Sequence, residues 1–296
     1  MNFTNIYNLP QSIFDAISKD VYDGPSANDL STISVTTLIN PPKIRMLRQR
    51  HSSEISEDIS ENIWRLLGTS VHSVLERAEA TERIIEERLT LKVNDKIVSG
   101  KTDVYESADK CIQDYKVTSA WSVVYNPTGK REWEEQLNCL AYLFRMAGFT
   151  VESVRIVAIL RDWSKTNAEK DKNYPQIPIV VFNMRLWSEE EQLHYINNRV
   201  YIHKLSESLT DDLIPECSPE ERWATETTYA VYQKTNKTAT RVLNTMQEAV
   251  GLANTLPNGR VEVREGEDKR CLDYCNVCQF CHYYKERYVK TTATDI

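Results

Sequence analysis

Two aspartates and a lysine open the reading. Asp114 and Lys116 stand two residues apart in the strand-like run 111–117, so their side chains leave the same face of a β-strand. Asp103 lies in the preceding run, 97–105. The polar stretch Ser107-Ala108-Asp109-Lys110 between the two runs reads as a hairpin turn. Carboxylates held side by side repel in a partly buried site unless a cation lies between them. A divalent ion such as Mg2+ or Mn2+ relieves that repulsion, because it takes hard oxygen ligands and keeps waters of its own. A lysine next to it can hold or deprotonate an attacking water, or steady a five-coordinate phosphate. The chemistry that suits this combination is metal-assisted hydrolysis of a phosphodiester. Taken alone, Asp-x-Lys is a common accident of solvent-exposed hairpins.

Its neighbours in the sequence give it more weight. Gly100 precedes Asp103 and leaves room for another group to approach closely. Upstream, Gly68-Thr69-Ser70-Val71-His72-Ser73-Val74-Leu75-Glu76 falls on a helix. His72 and Glu76 share one side of it, at the rim of an apolar stripe made by Ile59, Ile63, Leu66, Leu67, Val71, Val74 and Leu75. A lone helical histidine is usually structural, but one followed by Gly-x-x-Asp and Asp-x-Lys is a candidate ligand. Gln136 falls within the stripe Trp133, Leu137, Leu140, Phe144 and Ala147 of a later helix. A buried amide needs a partner, so Gln136 is either satisfied in the core or faces a ligand.

In this order, Gly68-x-x-x-His72, Gly100-x-x-Asp103, Asp114-x-Lys116 and Gln136 resemble the motif series of the RecB-like branch of the PD-(D/E)XK nucleases. Phage exonucleases and CRISPR adaptation nucleases belong to that branch. The likeness covers residues 33–160, and more loosely the cysteine-bearing tail. It implies that His72, Asp103, Asp114 and the backbone carbonyl of Tyr115 bind the metal. It also implies that Asp103, Asp114 and Lys116 are catalytic, and that Gln136 contacts DNA. The family usually carries a tyrosine four residues after that glutamine. Leu140 stands there instead, and Tyr142 points to another side of the helix, so the guiding of the strand is expected to differ. The resemblance implies a metal-dependent DNA nuclease, an exonuclease of recombination or replication, in a viral setting. Its partners would be DNA and a recombination or single-strand-binding protein. The alternative is a non-catalytic DNA-binding subunit that keeps the nuclease fold. Retention of His72, Asp103, Asp114 and Lys116 together argues against it.

The elements that must position these residues run helix, three strands, helix, strand. The helix is expected over 59–75 and on to about Ala80, and the strands over 88–93, 97–105 and 111–117. A second helix follows over 133–147, stopped by Gly148, and then a buried strand over 154–160. The fold class is therefore α/β, and the resemblance makes it a restriction-endonuclease-like mixed β-sheet core flanked by helices. Residues 164–177 read as a loop, 179–186 as a strand, and Ser188 with Glu191 as a capping box that opens a helix toward Leu205. Three parts are expected. Residues 1–32 form an irregular segment with a short helix, 33–215 the nuclease core with helical additions, and 216–296 a small Cys-rich ββαβ appendage.

A net charge of −7 over 296 residues excludes a protein that coats nucleic acid through bulk charge. Local basic groups remain: Lys43, Arg45, Arg48 and Arg50; Lys165, Lys170 and Lys172; Lys234, Lys237 and Arg241. Each reads as a solvated face, or the first as the lining of a DNA entrance. No apolar run reaches the roughly 18 residues that cross a bilayer. The N-terminal residues lack a basic stretch followed by an apolar one. No membrane association is expected, and the address is cytoplasmic, in the host cell for a viral protein.

Of seven cysteines, Cys111, Cys139 and Cys217 are scattered and read as small buried apolar residues. Cys271, Cys275, Cys278 and Cys281 are crowded into one run, which suggests metal more than disulfides. Tight spacing in a single run is typical of iron–sulfur ligation, so a [4Fe-4S] cluster is expected, with Zn2+ or free thiols as alternatives. The first three also fit the radical-SAM spacing, but no barrel of βα repeats follows them.

Overall fold

Runs of β-branched and aromatic residues alternate with helical stripes, and the chain builds a mixed α/β architecture from them. The computed structural model describes residues 2–19, 24, 29–77 and 82–289. The chain divides into two compact units, Met1–Leu209 and Thr210–Ile296. No described helix is long and apolar enough to cross a membrane.

The first unit begins with β1 (Asn2–Thr4) and α1 (Gln11–Ser18). β2 (Thr32–Ser34) runs straight into α2 (Val35–Ile39), and the Ser34 hydroxyl accepts from the Thr37 N–H as its N-cap. Pro42 opens α3 (Pro42–Arg50), a position where its missing N–H is not needed. β3 (Ser56–Asp58) pairs in parallel with β1, which puts a strand where only irregular chain was expected. A 3₁₀ turn at Ile59–Asn62 leads into α4 (Ile63–Leu75). The expected extension of this helix toward Ala80 lies outside the described residues.

Five short strands follow: β4 (Arg83–Ile85), β5 (Arg88–Val93), β6 (Lys96–Lys101), β7 (Val104–Glu106) and β8 (Cys111–Thr118). Then come α5 (Ala120–Val124), α6 (Arg131–Met146), β9 (Ser153–Leu160), α7 (Lys165–Lys170), β10 (Ile179–Met184) and α8 (Glu189–Ser208). The stretch 164–177 is thus not all loop. Ser164 caps α7 by accepting from the Asn167 N–H. The expected capping box of α8 is present, with Ser188 and Glu191 each accepting from the other's backbone N–H.

Strands β10, β9, β8, β7 and β4 form one mixed sheet in that order, parallel between β8 and β9 and antiparallel elsewhere. A second sheet is ordered β2, β6, β5. The expected single strand across 97–105 is therefore two strands in two sheets. The break comes at Thr102 and Asp103, where the backbone bonds a neighbouring turn instead. Thr102 N–H donates to the Glu87 carbonyl (3.1 Å), and Glu86 N–H donates to the Asp103 carbonyl (3.1 Å).

The core lies under α6. Trp133, Leu137, Leu140, Leu143 and Phe144 pack with Ile112, Val154 and Ile156 of the sheet. The apolar stripe of α4 does not join this core. No residue of α4 is buried, and Ile63, Trp64, Leu67 and Val74 are exposed. The expected core helix is a surface helix that borders the sheet. Gly148, at φ 91°, ends α6 in a conformation that L side chains rarely adopt.

The group Lys43 to Arg50 also differs from its expected role. Lys43 is buried, and Arg45 pairs with Glu207 at 2.9 Å. Arg50 donates to the carbonyls of Ser206, Glu207 and Leu209 at the end of α8. A cation is favoured at the carbonyl-rich end of a helix. Arg45 and Arg50 fasten α3 to α8, while Arg48 and Arg50 remain exposed.

Gly100 is where α6 meets β6. A Cβ there would stand 2.7 Å from side-chain carbons of both Leu140 and Leu143 and 3.0 Å from Val35. These neighbours are themselves buried core residues. Gly100→Ala is therefore expected to overpack the core and destabilise the fold by about 1–3 kcal/mol in chemical denaturation. An unchanged midpoint and slope would show that Leu140 and Leu143 can step aside.

The second unit holds β11 (Thr228–Gln233), β12 (Arg241–Leu243), α9 (Met246–Thr255) and β13 (Gly259–Arg264). They form an antiparallel sheet ordered β12, β11, β13, with Val231, Ala249 and Ala253 as its small core. The short helix α10 (Lys269–Asp273) then opens the Cys-rich stretch.

Candidate active site

The hairpin of β7 and β8 sets the site. Its register pairs Val104 with Gln113, so one step further along the ladder brings Asp103 level with Asp114. At that point β7 has ended, and the Asp103 carboxylate takes over from the missing strand. Its Oδ2 accepts the Tyr115 N–H at 2.7 Å. The break between β6 and β7 thus turns Asp103 from a strand residue into a bracket on β8.

Asp114 is 2% exposed. The Lys116 ammonium stands 2.6 Å from its Oδ2, and Gln136 Nε2 donates to its Oδ1 at 3.0 Å. The same Gln136 accepts from Lys116 Nζ through its Oε1 at 3.0 Å. The buried amide in the stripe of α6 therefore has its partners, and they are the Asp-x-Lys pair. Burial pushes the Asp114 carboxyl above its ordinary value. Lys116 pulls it back, and Asp103 adds to the rise. Burial pushes the Lys116 ammonium down, but the charge and hydrogen bond of Asp114 together with the charges of Asp103 and Glu132 outweigh it, and the net direction is upward. Lys116 is therefore held as a cation.

On the other side of Asp103 is a second group. His72 Nδ1, on α4, lies 3.3 Å from Asp103 Oδ1 and 4.0 Å from Glu86 Oε1. Contact with Asp103 raises His72 above its ordinary value against the opposing effect of burial. The His72 ring also meets the edge of Tyr115, with centroids 6.3 Å apart. Glu86 sits at φ 55° in the turn between β4 and β5, and it pairs with Lys101 of β6. Burial pushes its carboxyl up, Lys101 opposes, and the charges of Asp103 and Glu76 add to the rise. Among the described residues, one donor of each of His72, Glu86 and Asp103 lies within 4.8 Å of the others.

All the sequence-derived candidates of the first unit thus fall at one place: His72, Asp103, Asp114, Tyr115, Lys116 and Gln136. Glu86 and Lys101 were missed. Glu86 stands in no motif, and only the turn that bonds the break at Asp103 delivers it. Cys271, Cys275, Cys278 and Cys281 lie in the second unit as half-buried free thiols.

The donor set suits a hard divalent ion. It offers carboxylate oxygens and an imidazole, and Asp114 Oδ2 is buried without a hydrogen bond of ordinary geometry.

No family model and no curated protein matches the chain. Solved structures with a similar course of the chain include SSO0001, at 15% identity and TM-score 0.43, covering 64% of this chain and 84% of that one. A phage-related exonuclease from Haemophilus somnus 129PT aligns at 15% identity and TM-score 0.30, covering 66% and 77%. The alkaline exonuclease LHK-Exo from Laribacter hongkongensis aligns at 10% identity and TM-score 0.36, covering 66% and 91%.

Proposed function

We propose that the first unit is a divalent-metal-dependent nuclease that hydrolyses DNA phosphodiesters. The observation that carries this reading is the buried Asp114 carboxylate, bracketed by Lys116 and Gln136 and set beside the His72, Glu86 and Asp103 donors. His72, Asp103, Asp114 and the Tyr115 backbone carbonyl would hold Mg2+ or Mn2+, and Glu86 would join them. Bound there, the ion would polarise a phosphoryl oxygen and acidify a water. Lys116 puts a fixed positive charge where negative charge grows on the phosphate. Gln136 positions both Asp114 and Lys116, and Asp103 ties β8 to the turn that carries Glu86.

Nucleic acid as the substrate has separate support at the end of β8. Arg161 N–H donates to the Thr118 carbonyl at 3.0 Å, and the Arg161 guanidinium lies 4.2 Å over the exposed Trp64 ring. On α5, directly after β8, the exposed Trp121 and Tyr125 stack at 6.0 Å. Exposed rings beside an arginine suit unpaired bases and the phosphates between them.

The test uses end-labelled linear DNA with and without Mn2+. Metal-dependent loss of label with release of short products is expected. Intact DNA under every metal condition leaves the DNA-binding, non-catalytic reading. End-dependence follows from the resemblance to exonucleases, and covalently closed circles are expected to survive. Nicking of closed circles at the rate of linear degradation would make the enzyme an endonuclease.

A further inference from the structure

The main sheet of the first unit ends on two edges of unlike make. β4 closes one edge with three residues, and its Arg83 pairs with Glu106 of β7 at 2.9 Å. A short, charged edge is the usual guard against pairing with another chain. β10 closes the other edge and has no such guard. Its residues Ile179-Val180-Val181-Phe182-Asn183-Met184 carry no charge and no proline. Their register with β9 runs unbroken from one end to the other, so no bulge turns the edge away.

The ladder shows which backbone groups this edge presents. Leu160 N–H donates to the carbonyl of Pro178, the residue opposite it, at 2.9 Å. Arg161 N–H donates the other way, to Thr118 at the end of β8. Opposed residues of an antiparallel pair alternate between bonded and unbonded positions. Counted from Pro178, the bonded positions on β10 are Val180, Phe182 and Met184. Ile179, Val181 and Asn183 therefore turn their N–H and C=O groups away from β9. No hydrogen bond takes these groups up among the described residues. Their side chains share one face of the sheet, where Ile179 is 46% and Val181 53% exposed. Unpaired backbone and exposed β-branched side chains thus coincide on the same residues.

We propose that β10 pairs antiparallel with β10 of a second copy of this chain, joining two sheets across a two-fold axis at Val181. The edge complements itself. Outward groups of two antiparallel strands bond only where outward residues stand opposite one another. Centred on Val181, the pairing sets Val181 against Val181 of the second copy and Ile179 against its Asn183. All three outward residues then find partners. A two-fold axis also uses the edge up, where a head-to-tail contact would continue into a fibre. The charges on either side of the strand fit the same arrangement. Upstream, Lys165 pairs with Glu169, which leaves Lys170, Lys172 and Asp171, net +1. Downstream, Arg185 pairs with Glu191, which leaves the exposed Glu189 and Glu190, net −2. Antiparallel pairing lays the start of one strand beside the end of the other, so the basic flank meets the acidic one.

The test is the solution mass of the full chain by analytical ultracentrifugation, across a roughly hundredfold range of concentration. Wild type, Val181→Lys and Val181→Pro are compared. The wild type should reach twice the mass of one chain. Val181→Lys sets two cations against each other at the axis. Val181→Pro removes an N–H that faces away from β9, where an edge strand tolerates proline. Both variants should keep the wild-type circular dichroism and stay monomeric. A monomeric wild type overturns the proposal and leaves the edge to another partner. A dimer that persists in both variants, or an assembly of more than two copies, overturns it as well. Because a variant that unfolds would also lose the dimer, a second measurement uses Val181→Cys. Opposed bonded residues hold their Cα atoms about 5.5 Å apart, inside the range of about 4.4–6.8 Å that a disulfide spans. Mild oxidation should therefore join two Val181→Cys chains well above the background set by the wild-type cysteines. A Val181→Cys protein that cross-links no faster than wild type removes β10 from the interface. None of these readouts involves DNA cleavage, so failure here leaves the nuclease proposal untouched.

Discussion

Asp114→Ala is expected to cut Mn2+-supported cleavage of linear DNA by roughly 10³-fold or more, a loss of about 4 kcal/mol at 1.36 kcal/mol per factor of ten. The size follows from where the carboxylate sits. Asp114 is the buried member of the acidic set, and it fixes Lys116 at 2.6 Å and Gln136 at 3.0 Å. Removing it takes away a metal ligand and frees the two groups that would act on the phosphate. Relief of the repulsion between Asp103 and Asp114 would by itself stabilise the variant. The hydrogen bonds lost by Lys116 and Gln136 oppose that gain, so no stabilisation is expected. Asp114→Asn separates chemistry from folding. It keeps the shape and can keep a bond to Gln136, yet a neutral amide is a poor ligand for Mg2+. It should melt near the wild type and still cleave far more slowly. Wild-type rates in a folded Asp114→Asn protein would show that this carboxylate does not serve the reaction.

The distinction between legible and hidden parts of this site has a physical basis. β8, β9 and α6 announced themselves because all three are built into a continuous core. Alternation in Val154, Ile156, Ala158 and Leu160, and the stripe Trp133, Leu137, Leu140 and Phe144, are direct records of that burial. Asp114, Lys116 and Gln136 sit on those elements, so their placement was readable. The break at Asp103 was not. The run 97–105 carries no stop signal between its apolar ends, and the break comes from hydrogen bonds to Glu86 and Glu87 in a turn that is remote until the fold forms. Glu86 stayed hidden for the same reason.

The stripe of α4 is real, but it stays out of the core, and Trp64 and Val74 face outward. In the basic run on α3, Arg45 is used on Glu207 and Arg50 on the carbonyls that end α8. Charge in a sequence shows that a partner is needed, and only the fold shows which partner it has. Of the three scattered cysteines read as small buried apolar residues, Cys111 and Cys139 are buried and Cys217 is half-buried.

Lys116→Ala is expected to lower kcat by roughly 10²-fold or more while DNA affinity changes little. A lysine that anchors DNA in the ground state would reach outward to a phosphate and lose binding when removed. Lys116 instead spends its donors inward, on Asp114 Oδ2 and Gln136 Oε1, with 26% of its side chain exposed. Asp114, with Asp103 and Glu132, keeps the ammonium charged against the cost of burial. Its service is a positive charge at a fixed point, felt most when negative charge has built up on the phosphate. An interaction made mainly in the transition state appears in kcat and leaves KM nearly unchanged. Lys116→Arg tests geometry as well as charge. A planar guanidinium keeps the cation but is wider than an ammonium and cannot hold the same point between Asp114 and Gln136, so it should rescue only a small part of the loss. Full rescue by arginine would reduce the requirement to charge alone. A Lys116→Ala protein that turns over at the wild-type kcat but needs far more DNA would make this residue a phosphate anchor, and the catalytic assignment would fail.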